Sequence, residues 1–211
     1  MTGRYAAGVV ELVDAPDSKS GSERSVGSIP TARTIAFSDS RAAPSVDTML
    51  LPVTTADLDH SPELRDALLA LNNAHAVELS FADAARLRRL IGAAFVAERV
   101  GLADALLIAF DQSAEYDSPN FLWFRVRYPR FVYVDRVVTA QAARGRGLAR
   151  MLYDDLIARA RSAGHERIVC EVNADPPNPA SDAFHRSFGF VPVGTAPLEN
   201  GKTVSYLELR L

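Results

Sequence analysis

The sequence predicts one α/β domain with a mixed central β-sheet flanked by helices. Three observations carry that expectation. A β-branched strand at 131–139 leads through a short polar turn into a glycine-bracketed helix start at Gly145 and Gly147. The helix that follows, 148–163, delivers the chain to a second strand at 168–173, and a helical crossover makes two such strands parallel. Two further pairs of apolar runs double back across turns: 94–100 with 103–110 over Gly101, and 191–195 with 202–211 over Gly201.

Composition narrows the class. Of 211 residues, 48% are apolar and 23% charged, enough for one domain to bury a core without covalent staples. A formal net charge of −3, a pI near 5.8 and the lack of a basic block argue against nucleic acid as a partner. A single cysteine, Cys170, excludes an intrachain disulfide and fits a reducing, cytoplasmic setting. Apolar runs fall short of a membrane span, and the first residues lack the basic start and apolar core of a signal peptide.

Residues 1–48 are dominated by Ser, Gly, Pro, Asp and Arg and cannot bury enough apolar area to offset chain entropy. Residues 11–30 also resemble a peptide translated through a leucine transfer-RNA gene. The expectation is a disordered extension arising from a misplaced start, with Met49 as initiator and the domain at 49–211. Residues 49–54 suit an edge strand. Ser61-Pro62-Glu63 supplies an N-cap, a proline in the first turn and an acidic start for a helix carried by Leu64, Leu68, Leu71 and Val77. A second helix is expected at 81–94, with Ala84, Leu87, Leu90 and Ile91 inward and Arg86, Arg88 and Arg89 largely outward. The pattern breaks up at 111–130, where many aromatic residues suggest a packed flap over a long loop. At 168–173, alternation puts Ile168, Cys170 and Val172 on one face and Val169, Glu171 and Asn173 on the other. A rigid turn, Asp175-Pro-Pro-Asn178, opens a last helix at 179–188 that Gly189 closes.

The chemistry concentrates after the central strand. Gly145 and Gly147 let the backbone bend sharply and approach a ligand closely. Unpaired amides at a helix start, the helix dipole and the charges of Arg144 and Arg146 together make a pyrophosphate cradle. No Gly-Lys-Ser/Thr follows, so this is not a Walker loop, and no acidic residue closes a following strand as a dinucleotide fingerprint requires. Arg144, Gly147 and Ala149 resemble the Arg-x-x-Gly-x-Gly/Ala signature of the GCN5-related N-acetyltransferases (GNAT). Asn178, Ser181 and Phe184-His185-Arg186-Ser187-Phe188-Gly189-Phe190 are similar to that family's Asn-x-x-Ala-x-x-Leu-Tyr-x-x-x-Gly-Phe run.

The resemblance, sharp over 134–191, implies the GNAT fold with splayed central parallel strands. It also implies acetyl transfer from acetyl-CoA to an amine by direct attack, with no covalent enzyme intermediate. Arg144, Gly145, Arg146, Gly147, Leu148 and Ala149 would hold the diphosphate, and backbone near Val137 and Val138 would pair with the pantetheine. Asn178 would bond the pantetheine arm, with Asn173 beside it. His185 stands where the family has tyrosine and is expected to protonate the departing thiolate. Glu171, Asp135 and Tyr133, or an ordered water chain, are the candidates for taking the amine's proton. Asn72, Asn73, His75 and Glu78, with Tyr116, Asp117, Asn120 and Trp123 of the flap, are the expected acceptor contacts. No spacing of His, Cys, Asp or Glu suggests a metal site. The expected acceptor is a small-molecule amine, with a protein or peptide amine or a non-catalytic acyl-CoA sensor as alternatives. By analogy with the family, two copies pair through the terminal strands.

Overall fold

The computed structural model describes residues 49–211, and the expectations for 1–48 lie outside the described residues. Its elements are β1 (Leu50–Pro52), α1 (Thr55–His60), α2 (Pro62–Asn73), α3 (Ala76–Leu79), α4 (Ala84–Ala93), β2 (Val96–Val100) and β3 (Ala105–Asp111). There follow α5 (Pro119–Arg125), β4 (Val132–Thr139), a 3₁₀ turn (Gln141–Ala143), α6 (Leu148–Ser162), β5 (Arg167–Asp175), α7 (Pro179–Phe188), β6 (Val191–Pro197) and β7 (Thr203–Arg210). The strands form one mixed sheet in the order β1-β2-β3-β4-β5-β7-β6, with β4 and β5 its parallel pair.

Each face of the sheet has its own core. On one, the stripe Leu148, Leu152, Leu156 and Ala160 of α6 packs over Val134, Val137, Ile168 and Cys170. On the other, Leu58, Leu64, Leu68 and Leu87 from the N-terminal helices meet Ile108, Phe110, Tyr133 and Val169. Burying one such leucine stabilises the fold by about 1.5–3 kcal/mol. The alternation expected for β5 therefore holds, with Cys170 and Glu171 on opposite faces.

Two helices were not expected. Thr54 and Asp57 form a capping box that starts α1, each side chain satisfying the other's backbone amide. That signal lies inside the stretch assigned to an edge strand, which stops at Pro52. The flap contains α5, which begins at Pro119 and buries Phe121 and Phe124. Trp123 of α5 stacks on Tyr206 of β7 with ring centroids 4.1 Å apart. It lies so close to β6 that a Cβ on Gly194 would sit 2.7 Å from the indole. Gly194 thus lets α5 cross the outer strands. Arg86 is a further correction: it is buried rather than outward, because the chain after β3 closes over its flank of α4.

β4 departs from plain alternation. Ala109 pairs with Val134 and Ile108 with Arg136, leaving Asp135 as the extra residue of a bulge. The bulge lets the adjacent Asp135 and Arg136 reach each other on the face covered by the N-terminal helices, where Arg136 also meets Asn72 of α2. The parallel ladder to β5 holds only at Val132↔Ile168 and Tyr133↔Val169, and no further pairing of the two strands follows.

One buried carboxylate makes stability depend on pH. Glu98 of β2 accepts a hydrogen bond from Arg159 of α6. Burial, then the Asp155 carboxylate, nevertheless push its pKa from 4.5 up to about 7, outweighing the half-exposed guanidinium. The folded state keeps a proton that the unfolded chain releases near its ordinary value of 4.5. This contribution to stability is full below that value and is lost as pH rises towards about 7. Glu98→Gln should therefore gain stability relative to the parent between pH 5 and pH 8, read as urea midpoints. A difference independent of pH would refute this.

Candidate active site

The cradle is built by backbone conformation. Gly145 (φ +76°) and Gly147 (φ +72°) both lie in the left-handed region. A Cβ on either would meet no atom within 4 Å, so the space above the loop is open. The first intrahelical bond of α6 runs from the Met151 amide to the Gly147 carbonyl at 3.0 Å. The amides of Leu148, Ala149 and Arg150 therefore head the helix without an intrahelical partner, with no side-chain cap and no acidic residue in the first turn. Leu148 and Ala149 turn their side chains into the core and offer only backbone outward. Asp104, in the β2–β3 turn, holds the loop at both ends. Its carbonyl accepts the Ala140 amide at 2.8 Å, and its carboxylate pairs with Arg146 at 2.8 Å. An exposed pair of this kind contributes at most about 1 kcal/mol, so its value is positional. Unpaired helix-start amides and a glycine backbone under open space fit a diphosphate.

The gap between β4 and β5 lies beside this loop. Val137 and Val138 face Leu107 and Leu106 of β3 across the ladder, beyond the last β4–β5 pair. Asn173 lies towards the end of β5, and its carbonyl accepts the Asn178 amide at 3.2 Å. Asn178 caps α7, its Oδ1 accepting the Ser181 amide at 3.1 Å.

Under the gap lies a buried polar network. Tyr133 donates to Glu171 Oε1 at 3.0 Å, and Asn120 of α5 donates to the same oxygen at 2.7 Å. Tyr206 in turn donates to Asn120 Oδ1 at 3.1 Å. Glu171 Oε2 is buried with no hydrogen-bond partner. Burial drives the Glu171 carboxyl well above its ordinary range; the Asp135 charge adds to this, and the Tyr133 and Asn120 bonds oppose it. Asp135 differs: Tyr116 donates to one of its oxygens and Arg136 to the other, each at 2.6 Å. Burial also raises the Tyr116 and Tyr133 phenols far above their ordinary value, so both remain donors.

His185 is fully buried. Its Nδ1 lies 2.8 Å from the Ser181 carbonyl, which requires an N–H there, and its Nε2 lies 2.8 Å from the Tyr153 hydroxyl. Burial lowers its pKa to about 4, leaving a neutral imidazole with its one N–H engaged and Nε2 accepting from Tyr153. Phe184 and Phe190 pack edge-on against it at 5.3 and 5.1 Å. Cys170 is buried, and burial pushes its thiol well up.

Two of the expected acceptor contacts, Asn72 and Asn73, are engaged internally, and the side chain of Glu78 lies outside what the structure describes. Asn73 donates to the Ala82 carbonyl and accepts the Ala82 amide, each at 2.9 Å. Asn72 donates to the Ser80 carbonyl at 3.2 Å and accepts from Arg136. Both tie α2 to the segment entering α4. Asn120 and Trp123 of α5 both meet Tyr206 of β7, Tyr116 reaches Asp135 instead, and Asp117 rims a cleft beside Tyr116. Sequence reasoning missed Arg136 and Tyr206. The bulge that turns Arg136 inward leaves no pattern in the sequence, and Tyr206 reaches the site only because β7 inserts beside β5. Among the described residues, no group of three His, Cys, Asp or Glu could hold a metal ion. Among them, too, no helix is long and apolar enough to cross a membrane.

A mixed sheet whose two parallel strands part beside a glycine-built helix start is the frame that the comparisons with known proteins place in a class. The model of the acetyltransferase (GNAT) family matches residues 68–190, more than half of the chain. The chain belongs to that family and is an acyltransferase. No curated protein matches it in sequence. Solved structures share its fold. The NatC complex bound to Gag peptide and CoA is 13% identical at TM-score 0.58, over 77% of this chain and 98% of that one. The ribosomal-protein-alanine N-acetyltransferase of Brucella melitensis is 23% identical at TM-score 0.53, over 77% and 99%. The polyamine N-acetyltransferase of Drosophila melanogaster, which forms N-acetylagmatine, is 14% identical at TM-score 0.54, over 77% and 99%.

Proposed function

We propose that the protein transfers the acetyl group of acetyl-CoA directly to the amine of a small molecule, with Glu171 as general base. One observation carries this reading: Glu171 has one oxygen fixed by two donors and the other unengaged, beside the gap between β4 and β5. A raised carboxyl pKa suits a base that must accept a proton from an amine near neutrality. Asp135, with both oxygens engaged, is instead the group that orients Tyr116 and Arg136. The amides and charges from Arg144 to Ala149 hold the diphosphate, and the β4 backbone at Val137 and Val138 lines the pantetheine, with Asn173 and Asn178 at the far side. Acetyl-CoA, when bound, supplies a thioester already activated for attack. Holding it still turns a bimolecular encounter into an effectively unimolecular one.

A compact acceptor is favoured because α5 lies across β7 and β6, narrowing the approach on that face. The neighbours acetylate both kinds of acceptor, a polyamine in one case and ribosomal-protein alanine in another. Following free thiol from acetyl-CoA with a panel of small amines and of short peptides tests the reading. Peptides used faster than every small amine would refute it. The compartment we infer is the cytoplasm, supported by the single buried thiol.

For His185 the geometry favours packing over proton donation, since its N–H already serves Ser181. His185→Phe should retain kcat within about threefold and lose stability, because the Tyr153 hydroxyl is left buried without its acceptor, at about 1–3 kcal/mol. A fall in kcat of a hundredfold in a folded variant would restore the acid role.

A further inference from the structure

The proposed function leaves open what else the acceptor carries. A cleft of about 590 Å³ opens between α4, the end of β3 and α5, within the range that holds small ligands. Three arginines line it: Arg86 and Arg89, one turn apart on α4, and Arg125 at the end of α5. Arg125 lies 5.4 Å from the Phe121 ring centre and reaches the Ala114 carbonyl only at 3.5 Å, so its head is directed by packing rather than by an ion pair. Glu115 and Asp117 rim the same cleft from the loop after β3. Its floor is apolar, with Leu90, Ala93, Phe110 and Leu122. Tyr116 forms the inner wall, and its hydroxyl donates to Asp135 of the buried network.

Arg89 and Arg125 in one cleft with Glu115 and Asp117 suit a molecule that is cationic at one end and anionic at the other. Guanidinium forks match the paired oxygens of a carboxylate or phosphate. We infer that this cleft binds the acceptor, and that the acceptor is an amine also bearing a carboxylate or phosphate across a short hydrocarbon spacer. The inference rests on the acetyl-transfer reading for its amine end. The anion end stands on the cleft alone.

Matched pairs of amines test it, each acidic member beside its neutral counterpart: β-alanine with β-alaninamide, and O-phosphoethanolamine with ethanolamine. Thiol release should show kcat/KM at least tenfold higher for the acidic member of one pair, and which pair responds tells carboxylate from phosphate. In Arg89→Gln/Arg125→Gln the ratio within that pair should fall to about one. Neutral members used equally well, or a preference that survives in the double variant, would overturn the inference. Should no amine be turned over, calorimetric titration of the same pairs into the protein decides it. Tighter binding of an acidic member by tenfold or more supports the anion site; equal binding, or none, removes it. Absence of binding by coenzyme A in the same experiment would remove the acetyl-transfer reading, and the anion site would still stand or fall on the paired titrations.

Discussion

Glu171→Gln is expected to lower kcat by about 10²–10³-fold while changing the KM for acetyl-CoA little, the size normally contributed by a positioned general base. The substitution is a clean one. Glutamine has nearly the same shape, and its carbonyl can accept from Tyr133 and Asn120 as the Glu171 carboxylate oxygen does. What it removes is the second, unengaged oxygen that would take the proton. Because burial raises the carboxyl pKa, the parent's kcat/KM should rise with pH through a point above the ordinary carboxylate range and then level off. The variant should lose that rising limb. Stability should fall by about 1–3 kcal/mol, since the glutamine NH2 replaces the unpartnered Oε2 and is buried without an acceptor. A folded Glu171→Gln protein with parental kcat would assign the proton to bound water.

Gly147→Glu is expected to raise the KM for acetyl-CoA about 10²-fold with a smaller effect on kcat. Two causes add. A side chain at φ +72° imposes backbone strain of roughly 1–2 kcal/mol, which the loop relieves by leaving the cradle geometry. A negative charge is also placed where a diphosphate is expected, against the attraction of the helix start. Gly147→Ala separates them, because its methyl would meet no protein atom within 4 Å and imposes the strain alone. It should raise the KM about tenfold. Cradle contacts hold ground state and transition state alike, so the loss belongs in KM. A KM unmoved by both variants would place the diphosphate elsewhere.

How much of this was legible in the sequence follows from the range of the interactions involved. The helix of α7 was readable to the residue, because Asn178, Pro179 and Gly189 are local start and stop signals. The stripe of α6 and the alternation of β5 were readable for the same reason, each being a periodic response to one buried face. The glycine loop that heads α6 was legible too, since glycine spacing at a strand–helix junction is itself the constraint. Inside 111–130 the start signal was present in Ser118-Pro119, but the aromatic residues masked it, since their burial comes from strands far away in the chain.

The sequence alone determined the α/β order, the mixed sheet and the place of the glycine loop that heads α6, since neighbouring residues dictate all three. Tertiary structure decided which polar groups meet. A one-residue bulge brings Asp135 onto Arg136, β7 inserted beside β5 brings Tyr206 to Asn120, and α5 brings Asn120 to Glu171 across 51 positions of chain. Contacts of that span are set by how the sheet is threaded and covered. Near-neighbour patterns, from which capping and alternation are read, carry no trace of them.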